Sequence, residues 1–331
     1  MKGLAVRRIL LSRTDRIGDL ILSTPAIASV RASFPDAHIT MVTSPYNRVV
    51  MERSTDIDEL VDLPREVRGA AFGARFTGYD LAVALAPRAT DLQLVGASRA
   101  RVRVGYTYIR RWVARLTARV YVNRLMISPA DPQLCERDAS CVVPHEVDQL
   151  LELVRLAGAT RRIPDLRLSI EDADRRPTAD AGDEPIVLHL GQRWFASGST
   201  LESTLTLADE LAALGAPLAI SCAAECDGHA QAFEARGHRV LRDLEFYAWA
   251  ALFERARVVV TVDTGATHVA SAMRRPTLVV FEHRYFRLNS QEWAPYHVPN
   301  VLIRKPETED GAALADLRAR IVSGVKELID A

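Results

Sequence analysis

Val258-Val259-Val260-Thr261-Val262-Asp263-Thr264-Gly265-Ala266-Thr267-His268-Val269-Ala270-Ser271-Ala272-Met273, followed after two arginines by Pro276-Thr277-Leu278-Val279-Val280-Phe281, decides the fold. Residues 258–262 are a β-branched apolar run, which reads as a short buried strand. Asp263, Thr264 and Gly265 favour turns and helix N-caps. Small helix formers carry on to Met273, and Pro276 stops the helix before a second apolar run. The unit is strand, turn, helix, strand. Its turn sets a hydroxyl (Thr264) and an imidazole (His268) beside the unpartnered N–H groups at the positive end of a helix. Such an end holds anions, and a diphosphate suits it. A plain cap and an ordinary polar histidine account for the same residues equally simply.

A matching device opens the chain. Arg8-Ile9-Leu10-Leu11-Ser12 reads as a strand and Arg13-Thr14-Asp15-Arg16-Ile17-Gly18-Asp19 as a turn at its carboxyl end. A helix follows from about Leu20 to Ser33, with Pro25 near its first turn. Strand 38–43 closes a βαβ unit. Gly18 gives the turn its tightness. Asp19 serves either as an N-cap or as a general base, with Arg13 and Arg16 near an anionic ligand. No G-x-G-x-x-G fingerprint is present, which argues against a nicotinamide dehydrogenase.

Between these devices, strands are expected at 59–63, 79–85 and 102–106, and helices at 46–53, 91–97 and 145–157. Residues 161–185 are rich in charge and proline and read as a linker. The alternation then restarts with strand 185–190, a long polar turn over 191–199, helix 200–214, strand 217–222, and helices 227–236 and 246–253. Helix 311–330 ends it. Alternation of this kind predicts α/β architecture, with two Rossmann-like doubly wound domains whose ligands meet the carboxyl ends of the strands, facing a central cleft. The domains are expected at 1–170 and 171–331, with the last helix free to return to the first.

At 331 residues the chain is long enough for two cores, and 42 basic against 42 acidic residues give no reason to expect a nucleic-acid partner. Arginines 99, 101, 103, 110, 111, 115 and 119, with Tyr106, Tyr108 and Trp112 interleaved, read as a basic patch facing an anionic acceptor or membrane, or as a solvated helix face. Cys135, Cys141, Cys222 and Cys226 lack the spacing of a metal site and read as free thiols. No signal peptide or spanning segment is expected, so the chain reads as cytoplasmic, with peripheral contact at the inner membrane face left open.

The chain resembles the ADP-heptose:lipopolysaccharide heptosyltransferases, glycosyltransferase family 9, of GT-B fold. The resemblance is carried by residues 9–20 with Thr24-Pro25-Ala26 and Phe34-Pro35-Asp36-Ala37, by Tyr79-Asp80-Leu81 and Arg103-Val104-Gly105-Tyr106, and above all by Asp263 to Ala272 with Pro276-Thr277 and Trp293-Ala294-Pro295-Tyr296. It implies inverting transfer of heptose from ADP-heptose to a saccharide, the lipopolysaccharide inner core, with no metal or other cofactor required. Asp19 would be the catalytic base of an acceptor-binding first domain in which Arg13, Arg16 and Gly18 contact the acceptor. Asp263, Thr264, Gly265 and His268 would hold the nucleotide sugar in the second. The sequence departs from the family where a lysine shortly before a Trp-Pro pair contacts donor phosphate: the turn here reads Gly191-Gln192-Arg193-Trp194-Phe195, and Arg193 would supply the charge. Glu282 stands where the family commonly has glycine, and beside a diphosphate it would be repulsive unless paired by Arg284 or Arg287. Another nucleotide sugar, a secondary-metabolite acceptor, or a non-catalytic nucleotide-sugar binder are the alternatives.

Overall fold

The computed structural model describes residues 6–222 and 224–330. They divide into two compact units, Met1–Ser169 and Ile170–Ala331. Residues 1–5, ahead of the first expected strand, lie outside the described residues.

The N-terminal unit holds strands β1 (Arg8–Ser12), β2 (His38–Thr43), β3 (Glu59–Asp62), β4 (Leu81–Ala84), β5 (Val102–Tyr108) and β6 (Arg124–Ser128). All pair in parallel, in the order β3-β2-β1-β4-β5-β6. Its helices are α1 (Ile17–Ser33), α2 (Gly69–Gly73), α3 (Ala89–Ala97), α4 (Trp112–Tyr121), α5 (Pro132–Arg137) and α6 (Glu146–Ala157). β1 and β4 are central and almost wholly buried, which is why they read as unbroken apolar runs. α1 packs with α6, and α3 with both α2 and α4. Right-handed crossovers running in opposite directions from β1 put helices on both faces of the sheet.

The C-terminal unit repeats the plan. Strands β7 (Ile186–Leu190), β8 (Leu218–Cys222), β9 (Arg239–Arg242), β10 (Val258–Val262), β11 (Thr277–Phe281) and β12 (Asn300–Arg304) form a parallel sheet ordered β12-β11-β10-β7-β8-β9. Its helices are α7 (Asp172–Arg175), α8 (Leu201–Ala212), α9 (Asp227–Ala235), α10 (Phe246–Arg255), α11 (Gly265–Ala272), α12 (Phe286–Glu292) and α13 (Gly311–Asp330). Leu317, Ile321, Val325 and Leu328 of α13 join the core of this sheet. The close approach needs Gly324, where a Cβ would stand 2.9 Å from both Leu278 and Val301.

Four expectations are corrected. α1 begins at Ile17, so Gly18 lies inside its first turn and Arg16 is the N-cap. Pro25 is therefore interior, and the carbonyl it cannot serve, that of Ile21, accepts the Thr24 hydroxyl instead (2.7 Å). The expected helix over 46–53 shrinks to a single 3-10 turn, Arg48–Val50. Cys135 and Cys141 are joined in a disulfide that spans the turn after α5, whereas Cys222 and Cys226 are free and buried.

Candidate functional site

In each sheet one pair of neighbouring strands marks the place where the strand order reverses: β1 and β4 in the first, β7 and β10 in the second. Crossovers leave such a pair in opposite directions, so the loops at its carboxyl end part and open a crevice. The residues singled out from the sequence fall at these two places.

In the N-terminal unit the turn after β1 is built around Arg13, which is 1% exposed. Its Nε donates to Asp15 Oδ1 (2.9 Å), its Nη2 to Asp19 Oδ1 (3.0 Å), and its Nη1 to Glu146 Oε1 (3.1 Å) and to the Leu85 carbonyl. Burial works against this charge, and Asp15, Tyr106, Asp19 and Glu146 outweigh it, holding the guanidinium well above its ordinary pKa. The Tyr106 hydroxyl donates to the same Glu146 oxygen (2.6 Å). Glu146 Oε2 is buried with no hydrogen-bond partner among the described residues. The turn itself is held by Asp91, which accepts from the Ser12 hydroxyl (2.6 Å), the Thr14 amide (3.1 Å) and the Thr14 hydroxyl (3.0 Å). Asn47 adds a bond to the Arg13 carbonyl (3.0 Å).

Asp19 is the third residue of α1, and its carboxylate turns to Arg13 rather than capping the helix. Burial raises its pKa, the Arg13 charge opposes this, and Asp15 and Glu146 add to the rise; the result is about 6. A carboxylate so poised is ionised at neutral pH yet basic enough to accept a proton, the property a general base needs. Its side chain keeps partial exposure, at 23%. Arg13 and Arg16 part company here. Arg13 is spent on protein carboxylates and acts as the clamp that orients Asp19, while Arg16 is exposed. Gly18 is buried in the first turn of α1, where the backbone N–H groups lack helical partners.

The same sheet edge carries a pocket of about 400 Å³ that the sequence did not disclose. Thr14 follows β1, Ser44 follows β2, Arg65, Glu66 and Arg68 follow β3, and Arg88 follows β4, all lining it. Arg65 and Arg68 meet no carboxylate among the described residues, so an anionic group would find two uncommitted guanidinium ions.

In the C-terminal unit the turn after β10 meets the turn after β7. A Cβ on Gly191 would stand 3.3 Å from Thr264 Cγ2, so glycine lets the two turns touch. Across that contact Arg193 Nη1 donates to the Asp263 carbonyl (2.6 Å) and to its carboxylate. Thr264 is the N-cap of α11, but its hydroxyl caps nothing; Oγ1 is buried with no hydrogen-bond partner among the described residues. Gly265 is the first residue of that helix, and His268 lies buried one turn in. Tyr296 of the Trp293–Tyr296 segment docks onto the same helix, its amide donating to Ser271 Oγ (3.2 Å). The structure thus gathers Arg193, Asp263, Thr264, Gly265 and His268 at one helix N-terminus.

Glu282 corrects the expected pairing. Its partner is Lys305, just past β12, at 3.0 Å, and not Arg284, which donates to the Tyr285 hydroxyl (2.6 Å). Lys305 is 1% exposed, and its Nζ also donates to the carbonyls of Ser197 (3.0 Å) and Arg193. Desolvation lowers its pKa while Glu282 pulls the other way. The turn that lacks a lysine of its own is thus fastened by one from the far side of the sheet. His189, at the end of β7, is packed on Trp249 and Phe253 and pushed by burial down to about 4, so it is a neutral core residue hydrogen-bonded to Ser221 Oγ (2.9 Å).

Two doubly wound parallel sheets, each with its candidate residues at the reversal of strand order, define a GT-B-type α/β protein. Solved structures agree along the whole chain. A glycosyl transferase family 9 protein from Veillonella parvula is 16% identical with TM-score 0.79 over 98% of both chains. E. coli ADP-heptose lps heptosyltransferase II is 16% identical with TM-score 0.72, again over 98% of both. E. coli heptosyltransferase WaaC with ADP is 19% identical with TM-score 0.68 over 97% of this chain and 99% of that one. At such identities the likeness is one of fold. Among curated proteins no relative is found by sequence. The family model described as glycosyltransferase family 9 (heptosyltransferase) matches residues 216–314, which contain the turn after β10 and α11. Residues 216–314 are thus similar to that family, and the chain as a whole shares the fold of the solved structures above.

Proposed function

We propose that the chain transfers heptose from ADP-heptose to a saccharide acceptor of the lipopolysaccharide inner core, with inversion at the transferred carbon. The observation that carries this reading is the buried, unengaged hydroxyl of Thr264 at the N-terminus of α11 beside Arg193, a cradle for a diphosphate. The donor names come from the similar E. coli structures, one of them solved with ADP-2-deoxy-2-fluoro heptose.

In this reading the N-terminal unit supplies the acceptor side. The Asp19 carboxylate takes the proton of the acceptor hydroxyl as its oxygen bonds to the anomeric carbon, and the bond from that carbon to the diphosphate oxygen breaks. ADP leaves with the electron pair. The N–H groups of α11 and the Arg193 charge stabilise the negative charge growing on it, so the reading calls for no metal or other cofactor. Asp263 keeps Arg193 aimed, and His268 lies within reach of the sugar or phosphate. The pocket with Arg65, Arg68 and Arg88 suits a phosphate or carboxylate of the acceptor. Arg16 and the Gly18 amide are the other acceptor contacts, the enzyme working at the cytoplasmic face of the inner membrane.

A second reading keeps the reaction and changes the donor. Arg193 is tied to Asp263, and the lysine at this turn is tied to Glu282 rather than projecting from the turn. That arrangement leaves room for a different nucleotide sugar. Calorimetry with ADP-heptose against UDP-, GDP- and dTDP-sugars separates the two. Binding of ADP-heptose alone supports the first, preference for another nucleotide moves the donor, and a protein that binds none of them rules out both.

A further inference from the structure

α4 turns the usual arrangement of a surface helix outward. Trp112, Val113, Leu116 and Val120 are 67, 53, 58 and 77% exposed. At the pitch of an α-helix these four share one stripe roughly 100° wide, and Ala118 on the opposite side is the residue buried in the core. Arg115 and Arg119 border the stripe, and Arg110 and Arg111 precede it, next to the half-exposed Ile109. Arg111 stacks over the Tyr108 ring at 4.9 Å and Arg115 donates to the Ile109 carbonyl (3.2 Å). Among the described residues none of these four arginines meets a carboxylate. The surrounding sequence is one-sided as well. Residues 92–130 contain no Asp or Glu and eight arginines (99, 101, 103, 110, 111, 115, 119 and 124), in a chain whose charges balance overall at 42 and 42. An exposed apolar stripe edged by unpaired arginines needs a partner that accepts both.

We propose that α4 docks on the surface of an anionic lipid bilayer, with Trp112, Val113, Leu116 and Val120 entering the boundary between headgroups and acyl chains and Arg110, Arg111, Arg115 and Arg119 meeting lipid phosphates. An amphipathic helix with this division of side chains lies in the interface without crossing it. No described helix is long and apolar enough to cross a membrane. A second copy of the chain fits the face poorly, because a two-fold contact would bring two like-charged clusters, Arg110, Arg111, Arg115 and Arg119 of each copy, into one interface with no acidic residue from 92–130 to offset them. The position of α4 adds a reason. It follows β5, whose carboxyl end shares a sheet edge with the turn that holds Asp19, two strands away or roughly 10 Å. Docking through α4 brings that edge to the bilayer. This last point alone rests on the proposed function, in which the saccharide acceptor is carried by a lipid.

The test is co-sedimentation of the full chain with vesicles of phosphatidylethanolamine and phosphatidylglycerol, or of phosphatidylcholine alone, at low and high salt. The variants are Leu116→Asp with Val120→Asp, and Arg110→Glu with Arg119→Glu, their folding followed by circular dichroism. Wild type is expected to partition onto the anionic vesicles, less so at high salt, and each pair of changes to lower that partition about tenfold or more. Transfer to a soluble saccharide stripped of its lipid is expected to be unchanged in both. Wild type that ignores anionic vesicles, variants that bind as wild type does, or variants whose one effect is to abolish a dimer would overturn the proposal. Vesicle binding that follows the variants while no saccharide is glycosylated would leave docking standing and sink the functional reading instead.

Discussion

Lys305 Nζ donates to Glu282 Oε1 at 3.0 Å, and from the same buried point it holds the carbonyls of Ser197 and Arg193. One side chain beyond the edge strand β12 thereby fixes the loop after β7 whose guanidinium reaches Asp263. Removing it leaves two carbonyls and a carboxylate without their cation. Lys305→Met is expected to lower unfolding free energy by about 2 kcal/mol in urea, Glu282 keeping some exposure to water. It should also weaken nucleotide-sugar binding, because Arg193 loses its footing. Calorimetry and equilibrium unfolding read the two effects separately.

Thr264→Val separates binding from stability. The hydroxyl is buried and meets no hydrogen-bond partner among the described residues, so its replacement by a methyl group of the same shape should leave stability unchanged or slightly raised. If it bonds donor phosphate, affinity for the nucleotide sugar should fall about tenfold. A loss of stability with unchanged affinity would mean that the hydroxyl serves the fold.

Asp19 links activity and stability to pH with opposite signs. Its carboxyl is raised to about 6 in the folded chain from an ordinary value near 4. The folded state therefore holds the proton more tightly, and the stability it contributes is lost as pH rises from about 4 to about 6. A base must be ionised, so kcat/KM should climb around pH 6, where the folded-state carboxyl loses its proton. Asp19→Asn should abolish transfer, and it should be more stable than wild type at pH 7 but not at pH 4.

Asp91 is also raised to about 6, chiefly by burial, so it is the rival source of any acid limb. Its three bonds are structural, to Ser12 and Thr14. Asp91→Ala should lower unfolding free energy by about 3 kcal/mol, since it strands buried donors. Asp91→Asn should preserve the climb of kcat/KM near pH 6. Disappearance of that climb in Asp91→Asn would move the titrating base away from Asp19.

The sheets were legible wherever strands were buried on both faces. β10 and β11 announce themselves through Val258–Val262 and Thr277–Phe281, because a central parallel strand needs apolar residues on both sides. β6, β9 and β12 went unread. Each is an edge strand with polar ends, Arg124-Leu-Met-Ile-Ser, Arg239-Val-Leu-Arg and Asn300-Val-Leu-Ile-Arg, and half-buried edges carry a weaker pattern. The site was legible where its members sit in one turn, as with Asp263, Thr264 and Gly265. Partners brought in by the fold were not. Glu146 lies 133 residues from Arg13, and Lys305 lies 112 from Arg193. No local pattern signals such pairs. The helical spacing of Trp112, Leu116 and Val120 was readable, but only the fold shows that their face points to solvent.

The most direct measurement is heptose transfer from ADP-heptose by wild type and by Asp19→Asn, run beside calorimetry of the same two proteins with the donor. Equal donor affinity in both, transfer by wild type and its loss in the variant are the expected results. Transfer that survives in Asp19→Asn, or a wild type that binds ADP-heptose no better than UDP-, GDP- or dTDP-sugars, would contradict the proposed function.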